Sequence, residues 1–180
     1  MLLNRLDLLD NKLTSKIQLY NNYFGSGMGS IVFQEIREAQ GLAYSVGASY
    51  RQATKKNQFD QMLAYVGTQS DKQKEAMKSI NNLINNLPKS DELFNIAKAS
   101  IINTLESERI TKSSIIWKYI SLQKKGLDVD ERINMYDEIS NLNLSDLEFF
   151  HKNYIKNKKF NTILIGKKGK IDFRDLKKYV

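Results

Sequence analysis

Large and small side chains alternate with a period of two in two neighbouring stretches of the chain. In residues 42–50 the bulkier residues lie at even-numbered positions and small ones lie between them, and 58–68 repeats an alternation after the polar segment 51–57. A period of two is typical of β-strands, and a short polar linker between two such runs is typical of a hairpin turn. The pattern therefore predicts two antiparallel strands joined by a hairpin.

Apolar residues recur every three or four positions in further stretches, as they do on the buried face of a helix. The predicted helices cover Thr14–Phe24, 70–87 before Pro88, 90–109, 113–124, 132–140 and 145–156. Ser70 with Gln73, and Ser145 with Glu148, have the spacing of a capping box at a helix start. Aromatic residues around Trp117 are expected to pack in the core, because large apolar side chains contribute most of a core's buried area.

Strands and helices together predict an α+β fold, in which helices cover an antiparallel sheet. A returning strand is predicted at 161–166, near the end of the chain. The length of 180 residues and the 41% hydrophobic content suit a single domain, 1–180, with one core.

A glycine-rich run, Gly-Ser-Gly-Met-Gly-Ser, occupies residues 25–30. Its glycines let the backbone turn, and Ser30 is expected to cap a short amphipathic helix over 31–37. Gly41 suits the left-handed conformation that ends a helix. Arg37 and Tyr44 flank this reversal, so a guanidinium and a phenol are placed to reach one cleft and hydrogen-bond a peptide carbonyl there.

The glycine-rich run is followed by Phe33-Gln34-Glu35-Ile36-Arg37-Glu38 and then by Gly41-Leu42-Ala43-Tyr44. Together these segments resemble the pitrilysin/insulinase-type zinc metallopeptidases, specifically the non-catalytic domain that follows their zinc-binding domain. The order of later elements is similar too, so the resemblance covers about 14–166. It implies the LuxS/mitochondrial-processing-peptidase-like metallohydrolase fold. In that family an Arg and a Tyr at this spacing lie opposite the zinc and help to hold the substrate, which the resemblance carries onto Arg37 and Tyr44.

The resemblance also implies partners. A zinc-binding catalytic domain, upstream in the same polypeptide or in a separate subunit, would hold the metal, and extended peptides would be the substrates. A scaffold that binds peptides without cleaving them is an alternative within the same family. A structural interpretation of the pair also exists, in which Arg37 interacts with its helix C-terminus and Tyr44 is an ordinary core aromatic.

Zinc binding by this chain itself is not expected. The family's His-x-x-Glu-His motif needs two imidazoles, whereas the chain has one histidine, His151, and no cysteine. A lone histidine in an amphipathic helix is more often a surface or packing residue than a ligand. We therefore expect no catalytic residue and no cofactor in this chain, with zinc in the partner domain.

The amino terminus is too short and too soon charged for a signal peptide, and no later apolar run has a membrane-spanning length. A soluble protein, cytoplasmic or periplasmic, is expected. Domains of the resembled family begin with a strand and more sequence before the first long helix, whereas here that helix is expected to begin near Thr14, so the chain is expected to be a fragment of a larger peptidase.

Charge supports a rival interpretation. Residues 151–180 carry ten Lys and Arg against two acidic residues, which accounts for the whole formal net charge of +8. Such a segment can bind nucleic acid or an anionic membrane surface by charge alone. Because no nucleic-acid-binding motif is found, the chain is not expected to bind nucleic acid, and this function ranks below the peptidase interpretation.

Overall fold

The computed structural model describes residues 1–167, 169 and 170. In this part of the chain one antiparallel sheet has the strand order β2-β3-β1-β4, and helices pack against it. The strands are β1 (Leu2–Leu8), β2 (Ser45–Arg51), β3 (Phe59–Gly67) and β4 (Asn161–Thr162). The α-helices are α1 (Thr14–Phe24), α2 (Gln73–Asn85), α3 (Asp91–Ser107), α4 (Lys112–Lys125), α5 (Arg132–Asn141) and α6 (Leu144–Tyr154). The α+β prediction is confirmed.

Helix α1 lies at the centre of the fold, with the bounds that its periodicity predicts. It packs against β2, α3, α5 and α6, and its aromatic residues are fully buried. Tyr20 stacks on Phe24 with ring centroids 5.1 Å apart, and Phe150 of α6 packs 5.2 Å from the Tyr20 ring. Buried aromatic contacts of this kind fix how α1 and α6 sit against each other, so they also fix the segment that leaves α1 at Gly25.

The predicted hairpin is confirmed, with β2 and β3 paired from Ser45 opposite Gly67 to Arg51 opposite Gln61. The even-numbered residues of both strands face the core, as the alternation requires. Strand β2 begins at Ser45 rather than at Leu42. The reason is that the Leu42 amide donates to the carbonyl of Ile36 at 3.0 Å, so Leu42 closes the preceding helix instead of joining the ladder.

Two strands differ from the sequence prediction. The N-terminal residues form β1, which was not predicted, and this strand lies between β3 and β4. Strand β4 spans two residues of the six predicted at 161–166, although Met1 and Ile163 extend the pairing by exchanging two backbone hydrogen bonds of 2.8 Å. An amino-terminal strand in the middle of the sheet connects the start of the chain to residues 161–163.

The predicted capping boxes are wrong in detail. Helix α2 begins at Gln73, after a 3-10 turn over Ser70–Lys72, and has no side-chain cap. Helix α6 does have a capping box, but it is formed by Asn143 and Asp146 rather than by Ser145 and Glu148. Asn and Asp serve as well as Ser and Glu at these positions, so two overlapping boxes were available in the sequence.

Helix α4 contradicts the prediction that its aromatics pack in the core. None of its residues is buried, and Trp117 is 73% exposed. Hydrogen bonds near its C-terminal end hold α4 to the fold: the Lys56 amide and the Asn11 side chain donate to the carbonyls of Lys124 and Lys125. The apolar period predicts the helix correctly, but periodicity carries no information on whether a partner for that face exists within the chain.

Candidate substrate-binding site

The glycine-rich run lies directly against the outer edge of β2. The Ala48 amide donates to the carbonyl of Gly25 at 3.0 Å, and a Cβ built on Gly25 would lie 2.2 Å from the Ala48 carbonyl oxygen. Only glycine allows this approach without displacing the strand. Ser30 is buried, and its hydroxyl donates to the carbonyl of Gly27 at 2.8 Å instead of accepting from the next helix, so the predicted cap is wrong.

Arg37 lies on a π-helix, Phe33–Ala39, which follows one short helical turn at Ile31 and Val32. Pi-helical turns are rare and often found at functional sites. The Arg37 guanidinium carbon sits 4.7 Å from the centre of the Phe33 ring, and its Nε is 3.6 Å from the Glu38 carboxylate. The Arg37 side chain is 45% exposed, so its ion pair with Glu38 contributes at most about 1 kcal/mol to the free energy of folding. The guanidinium therefore remains accessible to a ligand.

The turn after the π-helix is held by contacts from distant residues. Gly41 adopts the predicted left-handed conformation, with φ of 57°. Its carbonyl accepts from the Lys72 ammonium at 3.0 Å, and the Leu42 carbonyl accepts from the Thr68 hydroxyl at 2.6 Å. The contacts of Thr68 and Lys72 could not be predicted, because nothing in a sequence shows a contact between residues that lie 26 or 31 positions apart. They fix the backbone between Arg37 and Tyr44.

Tyr44 is 91% exposed, which excludes the interpretation of this residue as an ordinary core aromatic. The alternation along β2 would place the Tyr44 side chain on the same face as that of buried Val46. Tyr44 precedes the first residue of the strand, however, and its side chain projects beyond the core. Its amide donates to the carbonyl of Gly67 at 2.8 Å, so its backbone is fixed while its side chain is free. In the described part of the chain no hydrogen bond or ring contact joins Tyr44 to Arg37.

Strand β2 is an edge strand, and most of its outer edge is already occupied. The Asn21 side chain accepts from the Tyr50 amide at 2.7 Å and donates to the Tyr50 carbonyl at 2.9 Å, as a neighbouring strand would. Gly25 occupies the Ala48 position in the same way. At Val46 no backbone hydrogen bond to a residue outside the sheet is found among the described residues, but Val46 is 9% exposed and the π-helix packs against β2.

A cavity of about 450 Å³ opens at this end of the sheet. Ser45, the residue after Tyr44, forms part of its wall, together with Tyr65, Gly67 and Thr68 of the neighbouring strand and its extension. The segment 163–167 closes the far side. The cavity has the size range of small-ligand pockets, and its described lining residues include neither Arg37 nor Tyr44.

His151 lies in the interior, away from this surface. It is buried, and its Nδ1 is 3.0 Å from the Tyr20 hydroxyl. Burial is the main cause that lowers the pKa of His151 to about 4, with a smaller contribution from the Lys156 charge and an opposing one from the Ile84 backbone. Within the described residues no group of three or more His, Cys, Asp and Glu side chains could hold a metal ion. Of the two positions that the sequence left open for His151, surface or interior, the structure shows the interior.

The basic segment 151–180 falls partly outside the described residues, which exclude Lys168 and 171–180. The described lysines of this segment lie on α6 and in the chain that follows it. In the part of the chain that the structure covers, no helix is both long and apolar enough to cross a bilayer.

Comparison with known proteins agrees with the fold. The sequence profile of the family described as peptidase M16 inactive domain matches residues 5–101, which include the glycine-rich run, Arg37 and Tyr44. No curated protein matches the chain in sequence.

Solved structures share the architecture at low sequence identity. A peptidase M16 inactive domain from Pseudomonas fluorescens aligns over 88% of this chain and 38% of its own, with a TM-score of 0.67 and 16% identity. A conserved protein from Enterococcus faecalis aligns over 86% and 36%, with a TM-score of 0.68 and 14% identity. A protease from Helicobacter pylori aligns over 85% and 37%, with a TM-score of 0.65 and 14% identity. The chain thus spans a little over a third of the length of these structures.

Proposed function

The chain belongs to the peptidase M16 inactive-domain family, and we propose that it is the substrate-binding half of a zinc-dependent endopeptidase of the insulinase type. As a member of that family it is a non-catalytic, peptidase-like domain. In the proposed enzyme it closes over a zinc-bearing domain, either in the same polypeptide or in a separate subunit. Extended peptides are the proposed substrates.

The exposed pair at the Gly41 turn carries this proposal. Tyr44 projects almost wholly into solvent from a backbone that is fixed by hydrogen bonds, and Arg37 is accessible on the other side of the turn. An exposed aromatic side chain on a fixed backbone loses little conformational entropy when a ligand binds, so less of the favourable contact energy is offset by that loss. A residue kept only for packing would be buried, as Tyr20 and Tyr50 are.

The chemistry of the pair suits a peptide backbone. The guanidinium offers several N–H donors and the phenol offers one O–H donor, and both can bond a carbonyl oxygen or stabilise the negative charge that develops on it during cleavage. The zinc-bearing domain would supply the metal-activated water.

Reconstitution tests the proposal. The chain is mixed with the domain that carries a His-x-x-Glu-His motif in the same reading frame or the neighbouring gene, and a mixed peptide library is the substrate. We expect cleavage by the mixture, no cleavage by this chain alone, and loss of cleavage with a zinc chelator. If no such motif is encoded there, or if the mixture is no more active than the zinc-bearing domain alone, the proposal fails.

Variants then test the two residues. Arg37→Ala and Tyr44→Phe should each lower kcat/KM by roughly ten- to a hundredfold, the range for losing a hydrogen bond to a charged or developing-charge group. Arg51→Ala and Tyr65→Phe are matched controls, because both residues lie on the same hairpin and are exposed. Equal activity of the variants and the controls would remove Arg37 and Tyr44 from the binding site. Binding of peptides without any cleavage would favour the scaffold, and salt-sensitive binding to nucleic acid instead would favour the basic segment.

A further inference from the structure

Exposed apolar side chains are concentrated in one part of the molecule, residues 110–136. Of the nineteen large hydrophobic residues that are exposed in the described part of the chain, nine lie in this segment. They are Ile110, Ile115, Ile116, Trp117, Tyr119, Ile120, Val129, Ile133 and Tyr136. Single exposed apolar residues need no explanation, but a cluster of this kind marks an interaction site.

Helix α4 forms the centre of this surface. Lys118, Leu122 and Lys125 lie on one side of the helix and are partly buried, and the two lysines pair with Glu108 and Glu131. Ile115 lies on the same side but is exposed, and the remaining sides of the helix carry exposed Ile116, Trp117, Tyr119 and Ile120. Trp117 is 73% and Tyr119 is 60% exposed. Full burial of an aromatic side chain covers roughly 150–250 Å², so these two alone leave on the order of 300 Å² uncovered.

A cleft of about 350 Å³ adjoins this surface, between the end of α3 and the start of α5. Ile110, Ile133 and Tyr136 form its apolar walls. Arg132 lies within it and is held by ion pairs with Asp130 and with Glu108, the latter at 2.9 Å. The surface is therefore not a uniform apolar face: a convex apolar helix stands beside a concave site with fixed charges of both signs.

Charge and shape distinguish between three possible occupants of the surface. A second copy of the chain is disfavoured, because α4 contains no acidic residue and a symmetric contact would bring together Lys112 and Lys124, the α4 lysines other than the two that pair with Glu108 and Glu131. An anionic membrane is disfavoured by the carboxylates of Glu106, Glu108 and Asp130 at the cleft, and by its concave shape. A folded protein with an apolar ridge between carboxylates fits both parts.

The comparisons indicate where such a partner comes from. Solved chains with this fold are more than twice as long as the part that this chain matches, so in those proteins the fold is accompanied by further folded sequence. We propose that α4 and the adjoining cleft dock onto the zinc-bearing domain of the peptidase, with an apolar ridge of that domain in the cleft and its acidic residues beside the α4 lysines. This inference rests on the proposed function and names the surface by which the two halves associate.

Trp117 provides the measurement, since it is the single tryptophan of the chain. The full chain is titrated with the zinc-bearing domain while the tryptophan emission, corrected for the partner alone, and its quenching by iodide are followed. We expect a blue shift and protection from iodide on binding. Ile116→Glu should weaken the dissociation constant at least tenfold, because it places a charge at the centre of the interface.

Phe149→Glu is the matched control, because Phe149 on α6 and Ile116 are both 65% exposed. Neither change should lower the melting temperature of the free chain by more than about 2 °C, since exposed positions have little effect on stability. Equal affinity of the two variants for the partner would overturn the proposal. So would a blue shift of the chain alone that depends on its concentration, or one caused only by vesicles of phosphatidylglycerol and phosphatidylcholine.

The outcomes also separate this inference from the proposed function. Arg37→Ala and Tyr44→Phe should bind the zinc-bearing domain as tightly as the unmodified chain while cleaving more slowly. If cleavage depends on these two residues but Ile116→Glu binds normally, the docking surface is wrong and the proposed function stands. If Ile116→Glu loses binding but cleavage ignores Arg37 and Tyr44, the docking surface stands and their assignment to substrate is wrong.

Discussion

Mild acid should destabilise this fold through one residue, His151. The imidazole is buried between α1 and α6, where Nδ1 meets the Tyr20 hydroxyl at 3.0 Å and Nε2 is buried without a well-oriented hydrogen-bond partner. Phe24 lies close to the ring as well, with centroids 6.0 Å apart. A protonated imidazole at this position would be a positive charge that water does not solvate. In the described part of the chain no carboxylate contacts the ring to compensate for it.

The size of the effect follows from the difference in pKa. In the folded chain the pKa of His151 is about 4, and in the unfolded chain it returns to its ordinary value of 6.5. The unfolded state therefore binds the proton first, so stability is complete above the unfolded pKa and is lost as the pH falls toward the folded one. At 1.36 kcal/mol per unit the whole loss is about 3 kcal/mol, of which about 2 kcal/mol falls between pH 7 and pH 5.

Urea unfolding of the chain at several pH values measures this loss, and His151→Gln is the control. The variant has no titrating group at this position and the chain has no other histidine, so its stability should change much less between pH 7 and pH 5. Buried Asp60 has the opposite sign: burial raises its pKa, so acid stabilises the fold at that position. Because Asp60 is present in both proteins, the difference between them isolates His151.

Two results would contradict the assignment of the acid sensitivity to His151. One is a free energy of unfolding that is the same at pH 7 and pH 5 for the unmodified chain. The other is a parallel decline in both proteins, which would assign the acid sensitivity to carboxylates. A direct measurement of the His151 pKa by NMR should place it well below 6.5, and a value at or above 6.5 would contradict the burial that the structure shows.

Two further substitutions test how the site is built. Gly25→Ala should destabilise the chain by roughly 1–3 kcal/mol or more, because the added Cβ would overlap the Ala48 carbonyl, whereas Gly29→Ala makes only an ordinary contact and should be close to neutral in thermal melts. Asn21→Ala removes two hydrogen bonds from the edge of β2 and should cost about 1–3 kcal/mol, and Asn22→Ala, one position along the same helix, should cost clearly less in the same assay. Equal effects within either pair would contradict the contacts described.

The sequence predicts this fold well where a pattern depends on near neighbours in the chain. The bounds of α1 and the pairing of β2 with β3 follow from apolar periodicity, and the left-handed Gly41 follows from the preference of helix ends for glycine. Capping is harder to predict, because adjacent polar residues compete for one position. In α6 the capping box forms at Asn143 with Asp146 and not at Ser145 with Glu148.

Long-range contacts limit what the sequence can show of the site. The motif places Arg37 and Tyr44 on either side of a turn, but the anchors Thr68 and Lys72 come from elements that only folding brings near. The same limit explains the error at Trp117. An amphipathic pattern predicts that one face of α4 is covered, but it carries no information on whether residues that cover this face exist within the chain.

Peptide binding to the assembled pair measures whether Arg37 and Tyr44 hold the substrate. A fluorescently labelled extended peptide is titrated with the reconstituted pair after the zinc has been removed by a chelator, so that affinity is measured without cleavage. We expect Arg37→Ala and Tyr44→Phe each to raise the dissociation constant of the peptide severalfold or more. We expect Arg51→Ala and Tyr65→Phe to leave it unchanged. Peptide affinity that is the same for all four variants would contradict the claim that this chain holds the substrate through Arg37 and Tyr44.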